Sequence, residues 1–197
     1  MTAGAPARIL TVEDDPIVRA DLRLILEDHG FDVCAAARDG VEAVELAREH
    51  RPDLILIDLN LPQLDGVEAT RRILDEREVP IVALTGYVAG DSIQRAVEAG
   101  AVDHVTKPFS EAGLVETLRD VLASRKLELE REAEHHSIRV VIESMLREHR
   151  TEEEILAVVH SMTGESAPPG ELSAALRRVV ARLRGLFSAP SEQRKEP

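Results

Sequence analysis

Short apolar runs alternate with longer amphipathic stretches along the first 124 residues of the chain. Arg8 to Asp14 is an apolar run ending in acid, and the spacing of Val18, Leu22, Ile25 and Leu26 predicts the buried stripe of a helix. Asp15 is placed to cap that helix, Pro16 to fill its first turn and Gly30 to close it. Phe31 to Ala36 predicts a second strand. Asp39 and Gly40 then open a helix that carries Val41, Val44, Leu46 and Ala47 and ends before Pro52. Leu54 to Asp58 is four apolar residues closed by one carboxylate, the mark of a strand buried on both faces. A third helix is expected from Gly66 to Asp75, a fourth strand from Pro80 to Thr85 and a helix from Asp91 to Ala99, stopped by Gly100. Val102 to Thr106 is a short fifth strand, and Glu111 starts helix five. Such regular alternation predicts an α/β fold with a five-stranded parallel sheet, doubly wound, with helices on both faces.

The texture changes beyond Leu122. Residues 125–137 are strongly charged, with Leu127, Leu129 and Ala133 as their apolar members, and read as a continuation of helix five with a thin heptad seam. Ile138 to Leu146 is more apolar. Thr151 and Glu154 form a capping box ahead of Ile155, Leu156, Val158 and Val159. Residues 166–170 are a loop. Residues 171–187 predict an amphipathic helix with Leu176, Val179, Val180, Leu183, Leu186 and Phe187 on one arc and Arg177, Arg178, Arg182 and Arg184 on the other. The expected organisation is a domain over 8–124, a helical linker over 125–137, a small helical output or interaction domain over 138–187 and a disordered tail over 188–197.

Composition sharpens this picture. Hydrophobic residues are 44% of the chain but aromatics only 2%, so the core must be aliphatic. Residues 1–124 hold 12 basic against 24 acidic side chains and residues 125–197 hold 12 against 13, so nearly all of the net charge of −13 lies in the first part. That part repels nucleic acid and suits a site that collects a cation. The single cysteine, Cys34, excludes an intramolecular disulfide and a cysteine-based zinc site; its apolar surroundings predict a reduced core residue. The chain has no run approaching a membrane span, and Met1 to Ala7 lacks a signal pattern, so a cytoplasmic protein without a membrane partner is expected.

In a parallel sheet all strands end on one edge, where open α/β folds place their ligands. Glu13, Asp14 and Asp15 follow strand one, Asp58 closes strand three, Thr85 closes strand four and Lys107 follows strand five. On its own segment Asp58 could equally cap the next turn. Several carboxylates gathered together repel unless a hard cation joins them, and Mg²⁺ is the natural candidate. A nucleophile, a divalent ion, a hydroxyl and a lysine are what phosphoryl transfer requires.

Val12 to Pro16, Ile57 to Pro62 with Asp65 and Gly66, Leu84 to Gly86, and Lys107 to Phe109, in this order and at these separations, resemble the receiver domain of bacterial two-component response regulators. The resemblance covers residues 8 to about 124 and implies a flavodoxin-like fold. It implies that Asp58 accepts phosphate from a partner sensor histidine kinase. Asp14 and Asp58 would bind Mg²⁺ directly, Glu13 through water, and Asn60 through its main-chain carbonyl. Asp15 would be the spare acid and helix cap. Lys107 would pair with the carboxylate and then the phosphate, with a cis bond to Pro108. Thr85 would move toward the phosphate, coupled to a strand-five position that the family fills with an aromatic and that His104 fills here. Histidine titrates near neutral pH, so this is a departure. Asn60 and Tyr87 fall where the family tunes phosphate lifetime. Such a receiver is not an enzyme in the usual sense; it promotes only its own phosphorylation and dephosphorylation.

The second part carries no decisive signature. The leading expectation is an interaction module that forms a homodimer on phosphorylation. The receiver residues Ala20 to Leu22, Ala43 to Ala47 and Lys107 to Ser110 resemble receivers ahead of ANTAR domains, which implies an RNA-binding antiterminator as the alternative; Ile142 to Leu146 lacks the Ala-Lys-Gly-type signature, and few aromatics weaken RNA binding. A DNA-binding regulator is third, because the stretch before helix 171–187 is not a recognisable helix-turn-helix turn. His135 and His136 as phosphotransfer histidines lack the surrounding pattern and read as exposed linker residues.

Overall fold

A computed structural model of the chain describes residues 5–86, 90–163 and 178–182. Tyr87, the 166–170 loop, most of the expected helix 171–187 and the 188–197 tail lie outside the described residues. The chain divides into two compact units, Met1–Leu127 and Glu128–Pro197.

The first unit is built on β1 (Arg8–Val12), α1 (Pro16–Asp28), β2 (Asp32–Ala37), α2 (Gly40–His50), β3 (Leu54–Asp58), α3 (Gly66–Glu76), β4 (Ile81–Gly86), α4 (Gly90–Glu98), β5 (Asp103–Lys107) and the start of α5 (Glu111–Arg147). All strand pairings are parallel, in the order β2-β1-β3-β4-β5. The expected α/β architecture is therefore the one observed. β1 stops at Val12 rather than Asp14, because Asp15 already accepts hydrogen bonds from the amides of Ile17 and Val18 as the cap of α1.

Period-two alternation splits the sheet's side chains between two cores. Leu10, Val12, Ile55, Ile57 and Ile81 meet Ala43, Ala47, Ala69 and Ile73 of α2 and α3 on one face. Ile9, Val33, Leu54, Leu56, Val82 and Leu84 meet Leu22, Leu26, Leu114 and Leu118 of α1 and α5 on the other. Both cores are aliphatic, as the composition requires; Phe31 and Phe109 are only half-buried at the margin. Full burial of each such side chain contributes roughly 1.5–3 kcal/mol, which fixes β3 as the sheet's rigid centre. Every residue of β3, Asp58 included, is buried. Cys34 is half-buried rather than in the core, because β2 is an edge strand; its Sγ lies 3.4 Å from the Ile9 carbonyl.

Helix α5 runs to Arg147 without a break, through the Ile138 to Leu146 segment. No glycine or proline occurs between residues 114 and 163 to stop it, and it ends where His149 takes a left-handed φ of 57°. In the second unit, α6 (Glu152–Thr163) is opened by the expected capping box. The Thr151 amide donates to Glu154 Oε2 (2.9 Å) and the Glu154 amide to Thr151 Oγ1 (3.3 Å). Ile142, Leu146, Ile155, Val159 and Val180 form its small buried cluster, with Ile138 and Met145 packed against it.

Candidate functional site

The carboxyl ends of β1, β3, β4 and β5 share one edge, and the sheet register decides which side chains meet there. Asp58 pairs in register with Leu84, while Thr85 and Gly86 pair with Thr106 and Lys107. The last turn of β4 therefore stands between the strands that carry Asp58 and Lys107. Ligand oxygens of Glu13, Asp14 and Asp58 lie within 4.8 Å of one another. Glu13 and Asp58 are buried and Asp14 is exposed, so the cluster opens to solvent on one side.

Lys107 reaches across this edge. Its Nζ donates to Glu13 Oε2 at 2.5 Å and also to Asp58 Oδ2. The other Asp58 oxygen, Oδ1, accepts from the Asn60 amide at 2.8 Å, which folds the start of the β3–α3 loop back over the carboxylate. Burial pushes the Glu13 carboxyl above its ordinary value, against the opposing pull of Lys107. Burial alone would lower the Lys107 ammonium, but its bonds to Asp58 and Glu13 outweigh that and raise it. One ammonium thus faces three acids, an excess of negative charge that a hard divalent cation suits. The donors are all oxygens, two of them held by burial and one exposed, so the set fits Mg²⁺.

Thr85 is fully buried, and its hydroxyl donates to the Gly86 carbonyl at 3.3 Å. His104 stands in register with Ala83 on the edge strand β5, with its side chain 40% exposed and its ring 4.0 Å from the Asp103 carboxylate. The two residues expected to work together therefore occupy opposite environments. Asn60 is exposed, and Asp15 serves as a cap. The Lys107–Pro108 bond is cis.

Three contacts that support the site could not be read from the sequence: the Arg19 brace, the Gln63–Asp39 bond and the close approach of Gly66 to β3. Arg19, one turn into α1, donates to the main-chain carbonyls of Glu13 (2.6 Å) and Asp14 (3.2 Å), bracing the acidic loop. Asp39 is buried; it caps α2 through the Glu42 amide (2.9 Å) and accepts from Gln63 Nε2 (2.9 Å) with its other oxygen. Gln63 has a left-handed φ of 65°, so the β3–α3 loop is tied down at a residue with strained backbone. Gly66 presses on β3, and a Cβ there would lie 2.1 Å from the Asp58 carbonyl oxygen. A glycine after a loop aspartate was visible; its contact was not. Beside the acids lies an open cleft of about 490 Å³ whose lining includes Asp14, Asn60, Pro62, Asp65 and Arg95.

Comparison with known proteins agrees with this geometry. Residues 9–119 match the response regulator receiver domain family. The transcriptional regulatory protein PdtaR of Mycobacterium tuberculosis is 42% identical over 113 residues, 57% of this chain and 55% of that protein. The transcriptional regulatory protein CseB of Streptomyces coelicolor is 46% identical over 114 residues, 58% of this chain and 48% of that one. The chain thus spans about half the length of the curated relatives it matches. Among solved structures, the receiver domain of a sensor histidine kinase from Pseudomonas aeruginosa, with magnesium coordinated in its active-site cleft, is 35% identical. It aligns with a TM-score of 0.55 over 60% of this chain and 99% of that one. No described helix is long and apolar enough to cross a membrane.

Proposed function

The chain belongs to the response regulator receiver family, and from that premise we propose that it is phosphorylated on Asp58 by a partner sensor histidine kinase. The observation that carries this reading is the meeting of Glu13, Asp14 and Asp58 within 4.8 Å, bridged by Lys107. An Asp58 carboxylate oxygen attacks the phosphorus of the kinase's phosphohistidine. The new P–O bond forms as the P–N bond breaks, and the imidazole nitrogen keeps the electron pair. Glu13, Asp14, Asp58 and the Asn60 carbonyl are the groups that would hold Mg²⁺. When bound, the ion offsets charge on the transferring phosphoryl oxygens.

Lys107 supplies a second positive charge at the same edge, and exchanges a carboxylate partner for a phosphate oxygen as the acyl phosphate forms. The phosphoryl group adds about two negative charges and three strong acceptors beside β4. The buried Thr85 hydroxyl, whose present acceptor is one residue away, turns toward the new acceptors. His104 follows on β5, and its position in solvent gives the ring room to rotate. Water attack on the acyl phosphate resets the switch, so the chain promotes only its own phosphorylation and dephosphorylation. This reading puts the protein in the cytoplasm with its kinase.

Residues 8–124 are the receiver in this scheme, 125–137 the helical linker and 138–187 the output, with 188–197 a tail. Phosphorylation changes dimerisation or partner binding of the output. The test is oligomeric state by light scattering with and without beryllofluoride, which stands in for phosphate on Asp58. A change of state in the parent that is absent in Asp58→Asn supports the reading; an identical change in both defeats it.

A second reading, output through nucleic acid, is favoured by the names of two relatives matched over the receiver, both transcriptional regulatory proteins. RNA, as in an antiterminator, and DNA are its two forms. Mobility shift with each at stated salt decides it, since phosphate contacts weaken steeply as salt rises.

A further inference from the structure

The turn between β2 and α2 gives no side chain to the cluster of Glu13, Asp14 and Asp58, yet it touches both loops that frame that cluster. At its start the Ala37 carbonyl accepts from the Glu13 amide at 3.1 Å. Two residues on, Asp39 Oδ2 accepts at 2.9 Å from Nε2 of Gln63, in the loop that carries Asn60. The next residue, Gly40, is pressed on the same loop, and a Cβ there would lie 2.2 Å from the Leu64 carbonyl oxygen.

Burial makes Asp39 a firm anchor. Its Oδ1 is engaged by the Glu42 amide at the start of α2 (2.9 Å), so Oδ2 meets Gln63 from a fixed place. A carboxylate taken out of water needs donors for both oxygens. Arg38 Nε is farther from Oδ2, at 3.9 Å, on a side chain 74% exposed. Gln63 lies at the surface and holds its left-handed φ of 65°, a conformation that persists where the surroundings impose it. Leu61 and Leu64 pack into the first core, but apolar packing is non-directional and does not aim a carbonyl. Among the described residues, the Gln63–Asp39 bond is the one hydrogen bond that residues 61–64 make to another element.

We propose that Gln63 is a positioning residue of the metal site: its bond to Asp39 sets where the loop holds the Asn60 carbonyl relative to Asp14 and Asp58. This rests on the reading of that carbonyl as a Mg²⁺ ligand. The Glu13–Ala37 bond ties the opposite loop to the same turn, so both sides of the site share one frame. Loss of a partner one step removed from the ligands weakens metal binding by about tenfold or more.

The experiment is calorimetric titration of the full chain with Mg²⁺, comparing the parent, Gln63→Glu, and Gln63→Glu combined with Asp39→Asn. Gln63→Glu sets a second carboxylate against Asp39 and breaks the bond, while its added negative charge alone would strengthen cation binding. Weakening of about tenfold is expected, opposite in sign to the charge effect. In the double variant the new amide at position 39 keeps its oxygen on the Glu42 amide and donates its nitrogen to the new carboxylate at position 63. Asparagine caps a helix as well as aspartate, and the formal charge equals the parent's. Affinity should therefore return to the parent's. Affinity in Gln63→Glu equal to or above the parent's, or no recovery in the double variant, overturns the proposal and leaves the metal reading standing. Absence of Mg²⁺ binding by the parent overturns that reading and the proposal with it.

Discussion

Replacing Lys107 with methionine takes away the ammonium that bonds both Glu13 and Asp58 while keeping most of the side chain's apolar volume. Breaking a buried pair by removing one partner costs about 3–5 kcal/mol, because the remaining charge is left uncompensated. The two acids have side chains only 3% and 9% exposed, but Lys107 is 25% exposed, and water screens part of its contribution. The lower end, about 3 kcal/mol, is therefore expected for the metal-free protein at neutral pH. With a urea dependence of about 2 kcal/mol/M, the unfolding midpoint should drop by about 1.5 M.

The sign with pH follows from Glu13. Its folded-state carboxyl is already raised by burial, and the contacts with Lys107 hold it down; in the variant it rises further. A carboxyl raised in the folded state contributes stability that is complete below its unfolded value and is lost as pH climbs through the folded value. The deficit of Lys107→Met should therefore be small in acid and grow toward neutral pH. The same change removes a cation that competes for the acids, so Mg²⁺ should bind the variant more tightly and restore stability in proportion to occupancy. Urea titrations at several pH values, with and without Mg²⁺, check each step. A deficit independent of pH, or weaker Mg²⁺ binding in the variant, would refute the charge argument.

Gly66→Ala should destabilise the first unit by roughly 1–3 kcal/mol and weaken Mg²⁺ binding, since its Cβ would lie 2.1 Å from the Asp58 carbonyl oxygen; urea unfolding and metal titration read both effects. Thr151→Ala should cost the second unit about 1 kcal/mol through loss of the α6 cap and leave Mg²⁺ affinity unchanged, as separate unfolding and titration curves would report. In the parent, Mg²⁺ affinity should begin to fall on acidification above the ordinary glutamate range, because the proton competes for a Glu13 carboxyl raised by burial; calorimetry across that range measures it.

The first unit was legible because its signals are local. Four apolar residues before Asp58, the caps at Asp15 and Asp39 and the glycines after α1 and α4 all state their role within a few positions. The acids and Lys107 could be joined because a parallel sheet brings every strand end to one edge. Arg19 and Gln63 could not be found this way. An arginine on an exposed helix turn and a glutamine in a loop carry no periodic signal, and their partners are a backbone carbonyl and a carboxylate 24 residues away. The charged stretch 125–137 was legible as a continuation of helix five, but the run on to Arg147 was not, since the more apolar Ile138 to Leu146 segment looks like a new element until the absence of glycine and proline is given full weight. His104 was legible as a position but not as an environment. The exposure of an edge strand depends on what packs beside it.

The central claim is that Asp58 is the residue that takes up phosphate. Intact-mass measurement after incubation with Mg²⁺ and acetyl phosphate, a small-molecule phosphoryl donor, tests it most directly. The account predicts one added phosphoryl group on the parent, none when Mg²⁺ is chelated and none on Asp58→Asn; uptake by Asp58→Asn equal to that of the parent would contradict it.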